Sequence, residues 1–368
     1  MRENQPPFFR LTFLLLFFIL LIYSLIQTRD LLYPISLAIL IAYLLYPIAK
    51  FLEKSGIPRI FANLICIISS IIVLWAGFYF LSKQFGVFID DLPTLKEQAF
   101  SNIETVNEGI KEKTGFNPNL NKAFLKERLS ELFETGNTFL KTIFSATAGT
   151  IAKFALLPVY VFFLLYYRNK FLAFVLKLIS NEKHKKTLKI IYDVSLVTKR
   201  YMGGIFIVVL ILCFLNSFGL LIIGVEYAIL LGVISAILNF IPYFGTLIGG
   251  AVPLLFVLIM GKNPADAVGV IILFLIIQFL ENNILTPSIT GGNVKLNPFI
   301  TILSIIIGGM IWGIPGMFIA VPFLGMFKIV CEHVNRLKPY SFLLGTEGTE
   351  QHAFSLEKVR NLFKKRAK

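Results

Sequence analysis

Long apolar runs constrain this chain more than any other feature of its sequence. The first extends from Leu11 to Ile26, and several later runs approach or exceed the length of about 20 residues that a helix needs to cross the hydrocarbon core of a bilayer. The runs do not alternate apolar and polar residues, which argues against a transmembrane β-barrel. Charged residues make up only 15% of the 368 residues, whereas soluble domains usually contain about 25%. The sequence therefore predicts an all-α, polytopic integral membrane protein with about eight hydrophobic segments.

Positive charge is concentrated on alternate loops. Residues 168–200 carry nine basic and two acidic residues, and residues 328–368 carry nine and four. Residues 83–147 carry eight basic and nine acidic residues. Because Lys and Arg accumulate on the cytoplasmic side of membrane proteins, this pattern predicts that both termini are cytoplasmic. The same pattern indicates that the net charge of +14 serves contact with an anionic lipid bilayer, and it argues against binding of nucleic acid.

The alternation of apolar and polar stretches divides the chain into five predicted regions. An apolar stripe with helical spacing, which begins at Leu95 and Ala99, indicates amphipathic extracytoplasmic helices that pack on each other, on the bundle or on a neighbouring subunit. The sequence thus permits a homo-oligomer without requiring one. The regions are residues 1–84 with spans one to three, 85–147 with the extracytoplasmic helices, 148–200 with span four and a basic interfacial helix, 201–330 with the C-terminal membrane core, and 331–368 with a basic cytoplasmic tail.

Two segments of the C-terminal core are too long for one ordinary span and are interrupted near their centres. Tyr227–Met260 contains the sequence NFIPYFG at residues 239–245, and Phe299–Phe327 contains WGIPG at residues 312–316. Proline removes a backbone donor, and the backbone groups that it frees must find protein or water partners within a membrane. Each segment either crosses once as a kinked helix or folds back as a re-entrant hairpin, and the excess length favours hairpins. Paired interruptions of this kind indicate the binding site of a transporter.

Glu281 places a carboxylate in an apolar helix between the two interrupted segments. An ionisable side chain costs at least ~2.5 kcal/mol near the centre of a membrane and usually marks a functional pathway. Gln278 precedes Glu281 by three residues, and Asn282 follows Gln278 by four, so an α-helix would place all three on one face. This face predicts a proton- or cation-linked carboxylate beside amides that bind a polar solute. Alternatively, Glu281 reaches interfacial water and braces the loop that follows it.

Further candidate residues lie at the interruptions and in span five. Asn239 either contributes to a solute or ion pathway or satisfies backbone groups that Pro242 frees, and Asn216 either joins that pathway or forms an interhelical hydrogen bond. The predicted solute or ion pathway consists of Glu281, Gln278, Asn282, Asn239, Pro242, Tyr243 and Asn216. The predicted structural breaks are Gly245, Pro287, Gly291, Pro298, Gly313, Pro315 and Gly316.

The chemistry of an enzyme is not evident in this sequence. The three cysteines lack metal-ligand spacing, the three histidines fall at or beyond the ends of spans, and neither an HExxH motif nor a phosphate-binding loop occurs. We therefore expect no enzymatic activity, no metal site and no cofactor.

Five stretches, in this order, resemble the autoinducer-2 exporter family of bacterial inner-membrane permeases, and together they extend over nearly the whole chain. The resemblance implies an integral transporter of the bacterial inner membrane, commonly with eight spans, which exports a small signalling molecule in some members and exchanges sodium or protons in others. The stretches are IAYLLYPIAKFLEKSGIPR (41–59), LLPVYVFFLLYYR (156–168), NFIPYFGTLIGGAVP (239–253), QFLENNILTPSITGGNVKLNP (278–298) and WGIPGMFIAVP (312–322).

These observations together predict a secondary transporter of a small polar solute, such as an autoinducer-2-like molecule used in quorum sensing. A sodium or proton antiporter is the alternative within the same class, and its ligands would be Na⁺ or H⁺. A membrane scaffold that transports nothing is the alternative from another class.

Overall fold

The computed structural model describes residues 7–114, 155–242, 244–260, 263–290 and 296–348, together with residues 127, 128, 130, 131, 134 and 138. All regular secondary structure within these residues is helical, which confirms the predicted all-α class. Most of the predicted extracytoplasmic region beyond residue 114, the start of span four and the end of the basic tail lie outside the described residues.

Twelve α-helices form the described part of the chain. A π-helical turn at Glu281–Leu285 joins the ninth helix to the tenth, and 3₁₀ turns occupy Asn181–Lys183 and Asn335–Leu337. The helices are α1 (Pro7–Gln27), α2 (Arg29–Lys54), α3 (Arg59–Thr114), α4 (Leu156–Tyr166), α5 (Arg168–Lys177), α6 (His184–Ile223), α7 (Ala228–Leu238), α8 (Phe244–Met260), α9 (Pro264–Leu280), α10 (Thr286–Thr290), α11 (Pro298–His333) and α12 (Lys338–Leu344).

Several of these helices have the length and composition of membrane spans. Helices α4 and α5, which are bent by 62° relative to each other, add a further candidate if they count as one span. Large apolar side chains are exposed along these helices, as expected where lipid replaces water as the solvent. The structure therefore confirms a polytopic membrane protein. By length and composition alone, the five single candidates are residues 29–54, 59–102, 181–223, 265–289 and 298–333, and the last of these contains a kink at Gly313.

Helix α3 continues without interruption through the predicted boundary at residues 84 and 85. It contains 56 residues, which corresponds to about 84 Å at 1.5 Å per residue. Its distal part is not detached from the C-terminal core, because Leu95 and Ala99 are buried against Met260 at the end of α8. The start of the predicted amphipathic stripe thus lies on the side of α3 that packs on the core.

Helices α7 and α8 fold back on each other. Tyr227, just before α7, donates its hydroxyl to Asp91 of α3 with a distance of 2.6 Å, while Met260 at the far end of α8 packs on the same part of α3. Between these ends, Ser235 Oγ lies 2.5 Å from the carbonyl oxygen of Gly249. Residues 228–260 are therefore a helical hairpin, which we call the first hairpin.

Helix α11 also folds back, at Gly313. This residue has φ 66° and ψ −146°, a conformation that is essentially restricted to glycine. A Cβ atom on Gly308 would lie 2.5 Å from the carbonyl oxygen of Gly316 and 3.0 Å from the Cβ of Ala320, whereas residues eight apart in a straight helix are separated by about 12 Å. Residues 298–333 are therefore the second hairpin, and both interrupted segments have the hairpin form.

Helix α6 lies in the middle of the molecule. It packs against α2, against α7 of the first hairpin, against α9 and α10, and against α11 of the second hairpin. Val208, Val209 and Leu212 of α6 are buried in a core that includes Ala236 and Ile277. Both hairpins and the helix that precedes Glu281 are thus held against one long central helix.

Candidate functional site

Glu281 faces the turn of the first hairpin. It follows the last residue of α9 and is half-buried, and its Oε2 accepts a hydrogen bond of 3.0 Å from Nδ2 of Asn239. Asn239 is the first residue after α7, where the chain leaves the helix to make the turn. The predicted carboxylate and the predicted amide of the first interruption are therefore direct partners.

A small cavity adjoins this pair. Its volume is about 10 Å³, which corresponds to about one water molecule. The residues around it come from α6, from both arms of the first hairpin and from α9. They are Asn216, Ser235, Asn239, Gly245, Gly249, Gly250, Phe274, Ile277, Gln278 and Glu281. The structure thus brings together Asn216, Asn239, Gln278 and Glu281, four of the residues predicted for the pathway.

Asn216 offers an unoccupied hydrogen-bond acceptor at this cavity. Only 2% of the residue is exposed, and its Nδ2 donates a long bond of 3.5 Å to the carbonyl oxygen of Gly232. Its Oδ1 is buried and has no hydrogen-bond partner in the described part of the chain. A buried polar atom without a partner costs about 1–3 kcal/mol. This oxygen is therefore available to a water molecule, a cation or a donor group of a solute.

Ser235 holds the two arms of the first hairpin together and was not among the predicted site residues. Its Oγ lies 2.8 Å from the carbonyl oxygen of Leu231 and 2.5 Å from that of Gly249, so its single proton serves one carbonyl at a time. The signal that indicates Ser235 is its position four residues before Asn239, which places both polar side chains on one side of α7.

Asn282 does not reach the cavity. The residue is exposed, although its spacing from Gln278 and Glu281 predicted one shared face. That prediction assumed regular α-helical geometry, but Glu281–Leu285 forms a π-helical turn, which is wider and changes the direction of the side chains. Single π-helical turns of this kind occur frequently at functional sites.

Pro242 and Tyr243 are the remaining predicted pathway residues. Pro242 is half-buried in the turn of the first hairpin and is not part of the cavity wall. Tyr243 lies outside the described residues. Gly245 is the second residue of the return arm, and a Cβ atom there would collide with the backbone of Leu238 and Asn239. Glycine at this position therefore allows the close approach that closes the turn.

The other predicted breaks have different structural roles. Pro287 lies in the first turn of α10, directly after the π-helical turn, and helical structure continues to Thr290. Pro298 is the first residue of α11, where a missing backbone N–H removes no helical hydrogen bond. Gly313, Pro315 and Gly316 form the fold-back of the second hairpin, and Gly291 lies outside the described residues.

The second hairpin contacts the first beside the cavity. The rings of Phe240 and Phe318 have centroids 5.6 Å apart and meet edge to face. Phe240 directly follows Asn239, so the contact lies next to the residue that binds Glu281. At the tip of the second hairpin, Trp312 Nε1 donates a hydrogen bond of 3.0 Å to the carbonyl oxygen of Leu25 in α1.

The site offers carboxylate, amide and hydroxyl groups and no set of metal ligands. Within the residues that the structure describes, no group of three or more His, Cys, Asp or Glu side chains could hold a metal ion. Oxygen and amide groups around a cavity of this size suit hydrogen-bonded water, a small monovalent cation or one polar group of a solute.

Comparison with known proteins identifies relatives along almost the entire chain. The chain is similar to "Putative transport protein YrrI" of Bacillus subtilis (strain 168), with 31% identity over 314 residues, which are 83% of this chain and 87% of the relative. YueF of the same organism has the same description and is 28% identical over 83% of this chain and 84% of its own length. YhhT of Escherichia coli (strain K12), also described as a putative transport protein, is 25% identical over 86% of this chain and 88% of its own length. The family model for AI-2E family transporters matches residues 13–336, which include both hairpins and Glu281. This match confirms the resemblance carried by the five motifs, and the chain belongs to the AI-2E transporter family.

Proposed function

We propose that this protein is a secondary transporter that exports a small polar solute across the bacterial cytoplasmic membrane, along a path that includes the cavity at Glu281. Membership of a transporter family supports the class of function. The observation that carries the proposal is the hydrogen bond between the Glu281 carboxylate and Asn239 in the turn of the first hairpin. An autoinducer-2-like molecule is a suitable solute because a small hydroxyl-bearing compound can bond to amide and carboxylate groups.

The carboxylate gives the site a means of coupling transport to an ion. Ionised Glu281 accepts the hydrogen bond from Asn239 and thereby holds the turn of the first hairpin against α9. When a proton or a cation occupies the carboxylate, part of its capacity to accept hydrogen bonds is used, and the bond to Asn239 weakens. Loading of Glu281 thus changes how firmly the hairpin turn is held, which links the ion to the mobility of the turn.

A cation antiporter is the second candidate function, and the size of the cavity favours it. A volume of about 10 Å³ admits one water-sized species and not a whole organic solute. The Glu281 carboxylate and the partnerless Oδ1 of Asn216 are both hard oxygen ligands for such an ion. In this version, exchange of Na⁺ for H⁺ is the complete transport reaction.

Proteoliposomes containing the purified protein test these proposals. We expect the wild type to move labelled autoinducer-2, and Glu281→Gln to reduce the rate at least tenfold and to abolish its dependence on pH. Glu226→Gln is the matched control, since Glu226 is exposed just before the first hairpin, and it should transport like the wild type.

Each result distinguishes the alternatives. If Glu281→Gln keeps both the rate and the pH dependence, Glu281 has no coupling role. If Na⁺ pulses move protons while autoinducer-2 stays in place, the antiporter is correct. If neither the solute nor an ion moves in wild-type vesicles, the scaffold alternative replaces both.

We further propose that both termini lie in the cytoplasm, so that the first hairpin enters the membrane from outside and the second from inside. The positive charge of the loops supports this orientation. In a background without native cysteines, a membrane-impermeant maleimide should label a cysteine at position 263 in intact cells and one at position 293 only after permeabilisation. The reverse pattern would fit a single crossing by each interrupted segment and would overturn this arrangement of the two hairpins.

A further inference from the structure

A second and much larger cavity lies between α2, α4, α5 and α6 and shares no lining residue with the cavity at Glu281. Its volume is about 440 Å³, within the range of roughly 300–1,000 Å³ that is typical of ligand sites. The cavity follows from the bend of 62° between α4 and α5. Because α5 turns away from the direction of α4, a wedge of space remains between α5 and its neighbours α2 and α6.

The wall of this cavity is apolar for most of its length. Phe171, Leu172 and Val175 contribute from α5, and Ile191 contributes from α6. Phe171 is 49% exposed, and its neighbour Phe174 is 59% exposed. A helix that exposes apolar side chains and also carries basic residues is typical of the membrane interface. The cavity therefore adjoins the lipid phase along α5.

Positive charge gathers at one end of the cavity, around the ring of Tyr46. The Nζ of Lys199 lies 4.3 Å from the centre of this ring, the Cζ of Arg168 lies 5.0 Å away, and the Nζ of Lys50 lies 5.8 Å away. All three are within the range of about 6 Å for a cation–π interaction. Three cations thus meet at one aromatic side chain of the cavity wall.

The positive charge in this group is only partly neutralised. Arg168 Nη2 pairs with Glu53 Oε2 at 2.5 Å, but its Nη1 is buried without a hydrogen-bond partner in the described residues. Lys50 and Lys199 form no ion pair within the part of the chain that the structure describes. The end of the cavity therefore has unused donors and an excess of positive charge, which suits an anion.

We propose that this cavity binds an anionic phospholipid, with its phosphate among Lys50, Arg168 and Lys199 and an acyl chain along the apolar wall of α5. The charged end alone would suit any phosphate. The long apolar wall and its opening toward lipid favour a ligand that carries a hydrocarbon chain. Basic pockets between transmembrane helices are known to bind anionic headgroups. A lipid in this position would connect α2 and α5 to α6, the helix that also carries Asn216.

Thermal unfolding of the purified full-length protein in neutral detergent tests the proposal. We expect phosphatidylglycerol to raise the melting temperature, and phosphatidylcholine with the same acyl chains to have little effect. The double variant Lys50→Gln/Lys199→Gln should need at least tenfold more phosphatidylglycerol for the same shift. Lys185→Gln/Lys186→Gln removes the same charge from exposed positions of α6 and should respond like the wild type.

A second variant and a second ligand keep the test decisive. Val175→Trp fills the cavity from the wall of α5 without changing the charge, and it should also weaken the response, even if the lysine variant does not fold. An equal response to phosphatidylcholine, or an unchanged response in a folded lysine variant, would overturn the proposal. If inorganic phosphate alone reproduced the shift, the site would be one for soluble anions and not for lipid.

Discussion

Both hairpins bring their arms together at glycines, and the first also has a hydroxyl group that bonds across its arms. In the first, Ser235 bonds across to the backbone of Gly249, and the turn presents Asn239 to Glu281. In the second, Gly308 and Gly316 bring the two backbones into direct contact, and Gly313 makes the turn. A polar bond thus reinforces the glycine contacts of the first hairpin, whereas the second is closed by glycine contacts.

This difference suggests separate roles for the two hairpins, with polar binding groups in the first and structural support from the second. Polar groups of the first hairpin have alternative partners, because a solute, water molecule or ion can replace one hydrogen bond with another. Glycine contacts have no such alternative, since any side chain at the contact would force the arms apart. We therefore expect the first hairpin to determine binding and the second to determine the integrity of the fold.

The largest expected effect is that of Gly316→Ala. A Cβ atom at this position would overlap the carbonyl group of Gly308, and because backbone cannot move aside as a flexible side chain can, the arms must separate. We expect the free energy of unfolding to fall by about 3 kcal/mol, which is at the upper end of the range for overpacked cores. Thermal unfolding monitored by size-exclusion chromatography in detergent measures this change.

Gly77→Ala is the matched control for this substitution. Gly77 lies within α3, and no atom lies within 4 Å of the position that its Cβ would occupy. Alanine is favoured over glycine in a helix by roughly 0.5–1 kcal/mol, so this variant should unfold at the same temperature as the wild type or slightly above it. Equal destabilisation of both variants would show that the contact between Gly308 and Gly316 does not hold the second hairpin together.

Sequence reasoning located both hairpins because proline and glycine disturb helices through local backbone geometry. The breaks at residues 239–245 and at Gly313 follow from this property alone. The same reasoning predicted the polar residues Asn216, Asn239, Gln278 and Glu281, since each is conspicuous in an apolar segment. It grouped these residues in one pathway but did not predict the hydrogen bond between Asn239 and Glu281, because that contact depends on how α7 and α9 pack.

Asn282 and Ser235 differ from prediction for equally local reasons. Asn282 was placed on the site face because a π-helical turn leaves no clear mark in the sequence. Ser235 was missed because a serine in an apolar helix usually bonds to its own backbone, as its contact with Leu231 illustrates. Helix α3 continues past the predicted region boundary at residue 84, because helix propensity persists where hydrophobicity falls.

A smaller effect is expected for the polar contact of the first hairpin. A double-mutant cycle with Asn239→Ala and Glu281→Ala should give a coupling free energy of about 1 kcal/mol, which is typical of one hydrogen bond. Asn283→Ala combined with Glu281→Ala is the control, because Asn283 is exposed and bonds to the carbonyl of Phe279 in its own helix. That pair should couple by less than about 0.5 kcal/mol. Equal coupling in both cycles would mean that the bond between Asn239 and Glu281 does not anchor the turn.

The smallest expected effect concerns the polar group at the tip of the second hairpin. Leu25 lies in the last turn of α1, where helix carbonyls have no partner within the helix, and the indole N–H of Trp312 supplies one. Trp312→Phe removes this donor but keeps most of the apolar surface. We therefore expect the free energy of unfolding to fall by about 1 kcal/mol and transport in proteoliposomes to be unchanged. Trp75→Phe is the control, since Trp75 is 66% exposed and should tolerate the change without measurable loss. If Trp312→Phe abolished transport in a protein that still folds, the tip of the second hairpin would belong to the binding chemistry, and the proposed division between the two hairpins would be wrong.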